Sequence, residues 1–255
     1  MDTDTYLRNV VLAHTPLNPT YDINQKMQEL NTHILPWANN WKYQLKPHGS
    51  NAKGTAITGS SDIDFFISLE PGVKDFNTYQ QVYETLRNRF KGAGYSPREQ
   101  NIAIGIIHGG LNIDLVAGIQ QGFLSSDHHI RKRKAQTWTK TNIDEQIKYV
   151  VGSGRVFDIK LVKIWRKLHN LDFPSFYLEL SVIEALKNTG LLGVSPTQNF
   201  ITIMSYLCDG FESTTVKDPG NESNQVSDDL TVTEKEAIRN AAIVTLNGSW
   251  EKAVW

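Results

Sequence analysis

Apolar positions along this chain change period several times, and each change marks an element. The N-terminal stretch to about Trp41 carries helical spacing interrupted by Pro16 and Pro19. Tyr43-Gln44-Leu45-Lys46 predicts a short strand, and the apolar run Phe65-Phe66-Ile67-Ser68-Leu69 a buried one. Tyr79, Val82, Tyr83, Leu86 and Phe90 recur at helical spacing, which predicts a helix over 76–90 ended by Gly92 and Gly94. Residues 101–107 and 111–116 read as strands joined by the turn His108-Gly109-Gly110. Helical periodicity then takes over, at about 142–151, 155–169, 175–188, 197–208 and 233–246. Two stretches have no period. Residues 118–140 read as irregular and basic, and 214–229, rich in Ser, Asn, Asp and Gly, as a loop. The pattern predicts a bilobed α+β fold. A mixed-sheet lobe with an N-terminal helix fills 1–125, and a helical lobe over 126–255 closes a ligand cleft.

The buried strand after residue 62 opens on acid. Gly49-Ser50 leads through a glycine-rich turn to Asp62-Ile63-Asp64, and the period of two puts Asp62 and Asp64 on one face of the strand. Neighbouring carboxylates repel unless a cation neutralises them, and hard oxygen ligands of this kind suit magnesium held with substrate phosphates. Asp114 is the lone acid in the second of the paired strands. Read by itself it is equally an edge-strand Asp facing water. With Asp62 and Asp64 it completes a two-metal site for Mg2+ or Mn2+, one ion activating an attacking hydroxyl and both stabilising an in-line displacement.

Composition narrows the class. At 255 residues, 40% hydrophobic and 21% charged, the chain can bury a full core. A net charge of −1 argues against a globally basic nucleic-acid binder and leaves room for local patches. The most basic is Asp127-His128-His129-Ile130-Arg131-Lys132-Arg133-Lys134, either a solvated loop or a phosphate-backbone contact; its adjacent histidines lack the partners of a zinc site. The single Cys208, in an apolar helical stretch, is expected to be packed and suits a reducing cytoplasm. Neither a signal peptide nor an apolar run of ~20 residues is expected.

These residues carry a resemblance. The GSx11DxD pattern with a distant Asp in Ile113-Asp114-Leu115-Val116 resembles the DNA polymerase β-type nucleotidyltransferase superfamily. Within it the chain looks most like the branch of oligoadenylate synthetases, cyclic GMP-AMP synthase, bacterial cyclic-oligonucleotide synthases and archaeal-type CCA-adding enzymes. Lys53-Gly54-Thr55-Ala56 is similar to the KGTA segment of that branch and Val162-Lys163-Ile164-Trp165 to its LVKxW helix. Ser175-Phe176-Tyr177-Leu178-Glu179-Leu180 resembles its S-Y-x-x-E-L helix start, and Asp218-Pro219 through Asn224-Gln225-Val226 a late turn. Asp127-His128 and Trp138 to Asn142 echo a segment on the acceptor side.

The resemblance implies nucleotidyl transfer: an acceptor hydroxyl attacks the α-phosphate of an NTP and pyrophosphate leaves. Asp62, Asp64 and Asp114 would be catalytic and metal-holding, with Asp114 in the base role. Gly49 and Gly54 would let the backbone approach a triphosphate, and Ser50 would hydrogen-bond it. Lys163 would reach the triphosphate, with Lys160 one turn earlier as the alternative. Ser175 and Phe176 would lie at the base, although Phe176 equally suits a core position. Glu179 reads as a helix-surface or supporting residue. The acceptor separates three readings. Another nucleotide makes a second-messenger synthase of the antiphage kind, and a tRNA or protein makes a CCA-like transferase or a modifier toxin. The third is a nucleotide-binding module without turnover. The chain ends at Trp255, without the extra domains of CCA enzymes, so the small acceptor is the expectation; no membrane partner is expected.

Overall fold

The apolar run after Asp64 becomes a central strand. β2 (Ile63–Leu69) pairs antiparallel with β1 (Tyr43–His48) and parallel with β5 (Leu111–Gln120). β4 (Ile104–His108) and β3 (Arg98–Glu99) continue the sheet beyond β5 in the order β1-β2-β5-β4-β3. Phe65, Ile67 and Leu69 share one buried cluster with Ile113 and Leu115 of β5. α2 (Pro19–Ala38) and α4 (Tyr79–Gly92) close that cluster through Leu30, Ile34, Val82, Leu86 and Phe90. Burying each such side chain stabilises the fold by about 1.5–3 kcal/mol. The computed structural model describes residues 2–17, 19–39, 41–59, 62–73, 78–191 and 195–248. The predicted start of α4 at 76 lies outside these, and its first turn is capped by Thr78, whose side chain accepts from Gln81 N.

Residues 118–140 are more regular than their sequence. β5 runs on to Gln120, and β6 (His128–Lys132) returns antiparallel to it and pairs with β7 (Thr137–Thr141). Only His128 and Ile130 of this hairpin's strands, with Thr141, are buried. Ile130 joins Phe66 and Ile143 in a small cluster on the second face of the sheet. One apolar residue per strand gives no visible alternation, which is why the pattern read as irregular. The stretch 214–229 likewise holds a hairpin, β8 (Lys217–Asp218) with β9 (Asn221–Gln225), followed by a 3₁₀ turn at Val226–Asp229. Buried Asp218 organises it, accepting from Gly220 N at 2.8 Å and Asn224 Nδ2 at 3.4 Å.

The chain forms two compact units, neither contiguous in sequence. The sheet unit takes residues 17–52 and 61–147; the other takes 1–16, 53–60 and 148–255. The division at 125 expected from the pattern therefore gives way to a threaded arrangement. α1 (Thr3–Ala13) belongs to the helical unit because Leu7, Val10 and Val11 are buried in its core. With it go α6 (Val156–Leu168), α7 (Ser175–Ala185), α8 (Pro196–Asp209) and α9 (Val232–Asn247), and the units divide inside α5 (Ile143–Gly152). Cys208 is half-buried against the same core. Among the described residues, no helix is long and apolar enough to cross a membrane.

Gly118 is the contact on which the β6–β7 hairpin seats. A Cβ there would lie 2.6 Å from Phe66 Cζ and 2.9 Å from Ile130 Cγ2. Gly118→Ala should destabilise the sheet unit by about 1–3 kcal/mol through overpacking. In urea denaturation this is a lowered midpoint with an unchanged slope.

Candidate active site

The two-residue period that buries Phe65 and Ile67 puts Asp64 on the opposite face of β2. In the parallel register Asp64 stands beside Asp114, on strands whose axes run about 4.8 Å apart. β5 is an interior strand, with β4 on its other side, so Asp114 is not an edge residue facing water. Asp62 is exposed and sits one residue ahead of β2, not within it. Burial raises the Asp114 carboxyl, the nearby Asp62 charge raises it further, and Gln100 and Arg98 work against both. Gln100 Nε2 donates to Asp114 Oδ1 at 2.8 Å.

β1 delivers the glycine turn to this cluster. His48 pairs with Asp64, and the next residues, Gly49–Ala52, form a single helical turn, α3. Gly49 has φ 61°, and a Cβ there would lie 1.9 Å from Asp64 Oδ2. Any side chain would strike the carboxylate, so the position requires glycine twice over. Asn51 Nδ2 donates to the Asp62 carbonyl at 3.0 Å, tying the turn to the strand entry, and Ser50 lies between Gly49 and Asn51. Among the described residues, no three Asp, Glu, His or Cys side chains converge tightly enough to enclose an ion. The donor set nevertheless fits a hard divalent cation: it is all oxygen, and its mutual repulsion, felt at Asp114, is what a cation removes. The adjacent histidines alternate across β6 and form no joint site. His128 Nε2 meets Ser68 Oγ at 2.7 Å, and His129 Nδ1 meets Tyr79 Oη at 2.7 Å.

In the helical unit the matched residues are engaged with one another. Lys163, expected at a triphosphate, is 1% exposed, and its Nζ donates to Glu179 Oε1 at 2.6 Å and Thr55 Oγ1 at 3.0 Å. Lys53 Nζ donates to Glu179 Oε2 at 2.8 Å, and Thr55 Oγ1 to Oε1 at 2.6 Å. Glu179, read from the sequence as a helix-surface or supporting residue, is fully buried, because six successive residues of α7, Tyr177 to Val182, lie inside the core. Burial would push its carboxyl up; the Lys53 and Lys163 charges outweigh that and hold it at about 2. Lys160 Nζ donates to Thr15 Oγ1 at 3.3 Å. Phe176 is half-buried, with Lys53 Nζ 4.2 Å from its ring centre, and Ser175 Oγ accepts from Arg166 Nη1 at 3.0 Å.

Residues 33–116, which hold β1, the glycine turn and all three carboxylates, match the nucleotidyltransferase domain family. The chain is 24% identical to the cyclic AMP-AMP-AMP synthase of Escherichia coli (strain MS 115-1), over 57% of this chain and 50% of that protein. The match thus spans about half the length of that relative. Its fold matches E. coli MS115-1 CdnC solved with ATP, at TM-score 0.73 and 19% identity, over 96% of each chain. Elizabethkingia meningoseptica CdnE, a cyclic dinucleotide synthase solved with GTP and Apcpp, aligns at TM-score 0.72 and 10% identity, over 98% of this chain and 100% of that one. Cid1 poly(U) polymerase aligns at TM-score 0.67 and 12% identity, over 96% of this chain and 94% of that one.

Sequence reasoning missed Gln100, Asn51 and the Lys53–Thr55–Glu179 contacts. For the last there was a signal: Lys53 and Thr55 flank Gly54 in the same family-like segment. Glu179→Gln removes the one anion between two buried ammonium groups and should destabilise the protein by about 3–5 kcal/mol at pH 7. A carboxyl held below its unfolded value contributes stability above about 4.5 that is lost as pH falls towards about 2. Melting temperatures between pH 7 and pH 3 should therefore fall steeply for the wild type and less so for Glu179→Gln.

Proposed function

We propose that this chain is a nucleotidyltransferase that joins nucleotides to nucleotides, moving an NMP from an NTP onto a hydroxyl of a second nucleotide to make cyclic or short linear oligonucleotides. The observation that carries the reading is the pairing of Asp64 with Asp114 at one level of adjacent parallel strands, with the Asp62 charge reaching Asp114. Asp62, Asp64 and Asp114 would hold the divalent metal, two ions in this reading. When bound, the metal activates the acceptor hydroxyl and offsets phosphate charge. Gly49 brings the turn onto Asp64, so Ser50 can hydrogen-bond phosphate oxygens beside the carboxylates. Gln100 occupies Asp114 Oδ1 and leaves Oδ2 to receive the acceptor's proton, a role suited to a carboxyl raised by burial. Phe176 and Ser175 are the base-side candidates of the helical unit. Lys163, enclosed by Glu179 and Thr55, serves here as a brace for that unit. The named activity of the E. coli relative supports a nucleotide acceptor, and a product of that class would fit antiviral signalling. The likeness to a poly(U) polymerase supports a second reading, transfer to an RNA 3′ end. A binding module without turnover has less support, since all three carboxylates are present.

The test is to incubate the protein with all four NTPs and Mg2+ or Mn2+, with and without tRNA, and to read products by mass spectrometry. Cyclic or short linear nucleotides formed without RNA are expected, and Asp62→Asn with Asp64→Asn should abolish them. Label found only on tRNA would replace the reading with the second one, and nucleotide binding without pyrophosphate release would sink both.

Asp114→Asn separates catalysis from stability. A carboxyl raised above its unfolded value of 3.8 favours the fold only while protonated, so its charge opposes folding at neutral pH. The variant should melt higher than wild type in metal-free buffer at pH 7 while losing at least about 100-fold in turnover.

A further inference from the structure

The outer face of the β6–β7 hairpin combines an exposed ring with fixed positive charge. Arg131 stands directly opposite Trp138, and His129 opposite Lys140, so all four share one face. Trp138 is 50% exposed, and its ring centre lies 4.0 Å from that of His129 and 6.1 Å from that of Tyr79. The His129–Tyr79 hydrogen bond holds the platform from beneath. Arg131 is held in place too, donating from Nη1 to Thr137 O at 3.1 Å and from Nη2 to Gln80 Oε1 at 3.4 Å.

Residues 128–140 contain Arg131, Lys132, Arg133, Lys134 and Lys140, and no Asp or Glu, in a protein of net charge −1. The acids packed nearby are already engaged. Asp127 pairs with Lys140 at 3.2 Å, Glu99 with Arg87 and with Arg133 at 3.9 Å, and Glu84 accepts from Gln80. Lys134, in the turn between the two strands, makes no ion pair among the described residues.

We propose that this face binds single-stranded nucleic acid, with a base stacked on Trp138 and phosphates along Arg131 and Lys134. An exposed indole flanked by cations, not aliphatic side chains, matches an unstacked base with its phosphates better than an apolar protein surface. A duplex hides its base faces, so the ring selects single strands. The hairpin joins β5 at Gly118, four positions beyond Asp114 and about 13 Å along the strand, so this surface is separate from the carboxylates and does not depend on the proposed reaction.

The test is fluorescence anisotropy with labelled oligo-uridylate, oligo-thymidylate and an RNA duplex, without NTP or metal, at about 50 and about 200 mM salt. Binding should favour the single strands, and the two sugars, compared directly, identify whether RNA or DNA is preferred. Trp138→Ala should weaken binding about tenfold, with Trp138→Phe recovering most of it. Lys134→Ala should flatten the salt dependence by about 0.7 in log–log slope, the equivalent of one lost phosphate contact. Asp62→Asn with Asp64→Asn should leave binding unchanged, which separates this surface from any failure of catalysis. No binding at the lower salt, or duplex binding as tight as single-strand binding with Trp138→Ala indifferent, would overturn the proposal and leave the face to a protein partner.

Discussion

A strand held on one face by a layer of helices has no freedom over what it presents on the other. In β2 the held face is Phe65, Ile67 and Leu69, so Asp64, Phe66 and Ser68 must face the opposite way. Each then meets a matching partner. Asp64 lies beside Asp114 and against Gly49; Phe66 packs edge-on to His48 and His128. Ser68 meets His128, whose Nδ1 donates to the Ser126 carbonyl at 2.9 Å, leaving Nε2 to accept the serine proton at 2.7 Å. The strand that carries the acid therefore also anchors the hairpin that extends the sheet. A one-residue slip of β2 would invert all three contacts at once, and the packing of Phe65 and Ile67 is what forbids it.

The two units treat charge in opposite ways. Around Glu179 the protein supplies its own counter-ions, and the carboxylate, two ammonium groups and a hydroxyl complete one another inside the core. Such a set holds three separate segments in register. At Asp114 the nearby Asp62 charge adds to the effect of burial, and Gln100 and Arg98 work against both. A fold normally neutralises what it buries. Here the balance still holds the carboxyl up, and a cation brought from outside would complete it.

The strand pattern, the acids and the order of the helices were legible because each is a local signal: a period, a turn residue, a carboxylate in an apolar run. The likeness to a nucleotidyltransferase domain rested on the spacing of those signals, and the match over residues 33–116 agrees with it. What the sequence hid was held by long-range polar contacts. Glu179 looks like a surface residue of a helix until Lys53, more than a hundred positions away, and Lys163 both pair with it. The hairpin at 128–141 hides because its buried face rests on Ile130 and a histidine, and the one at 217–225 because an aspartate, not an apolar side chain, is its centre. The threaded division into units was hidden too, since nothing in the residues of α1 says which core will receive Leu7 and Val10.

That threading bears on how the protein is made. α1 is made before the helices that cover it, α6 and α8, which are encoded from residue 156 onward. At ~5–20 residues per second, Leu7, Val10 and Val11 wait roughly ten to forty seconds for their partners. Through that interval a nascent chain carries an uncovered apolar stripe, a natural grip for a chaperone, and the sheet unit completes its own core before α1 finds its place.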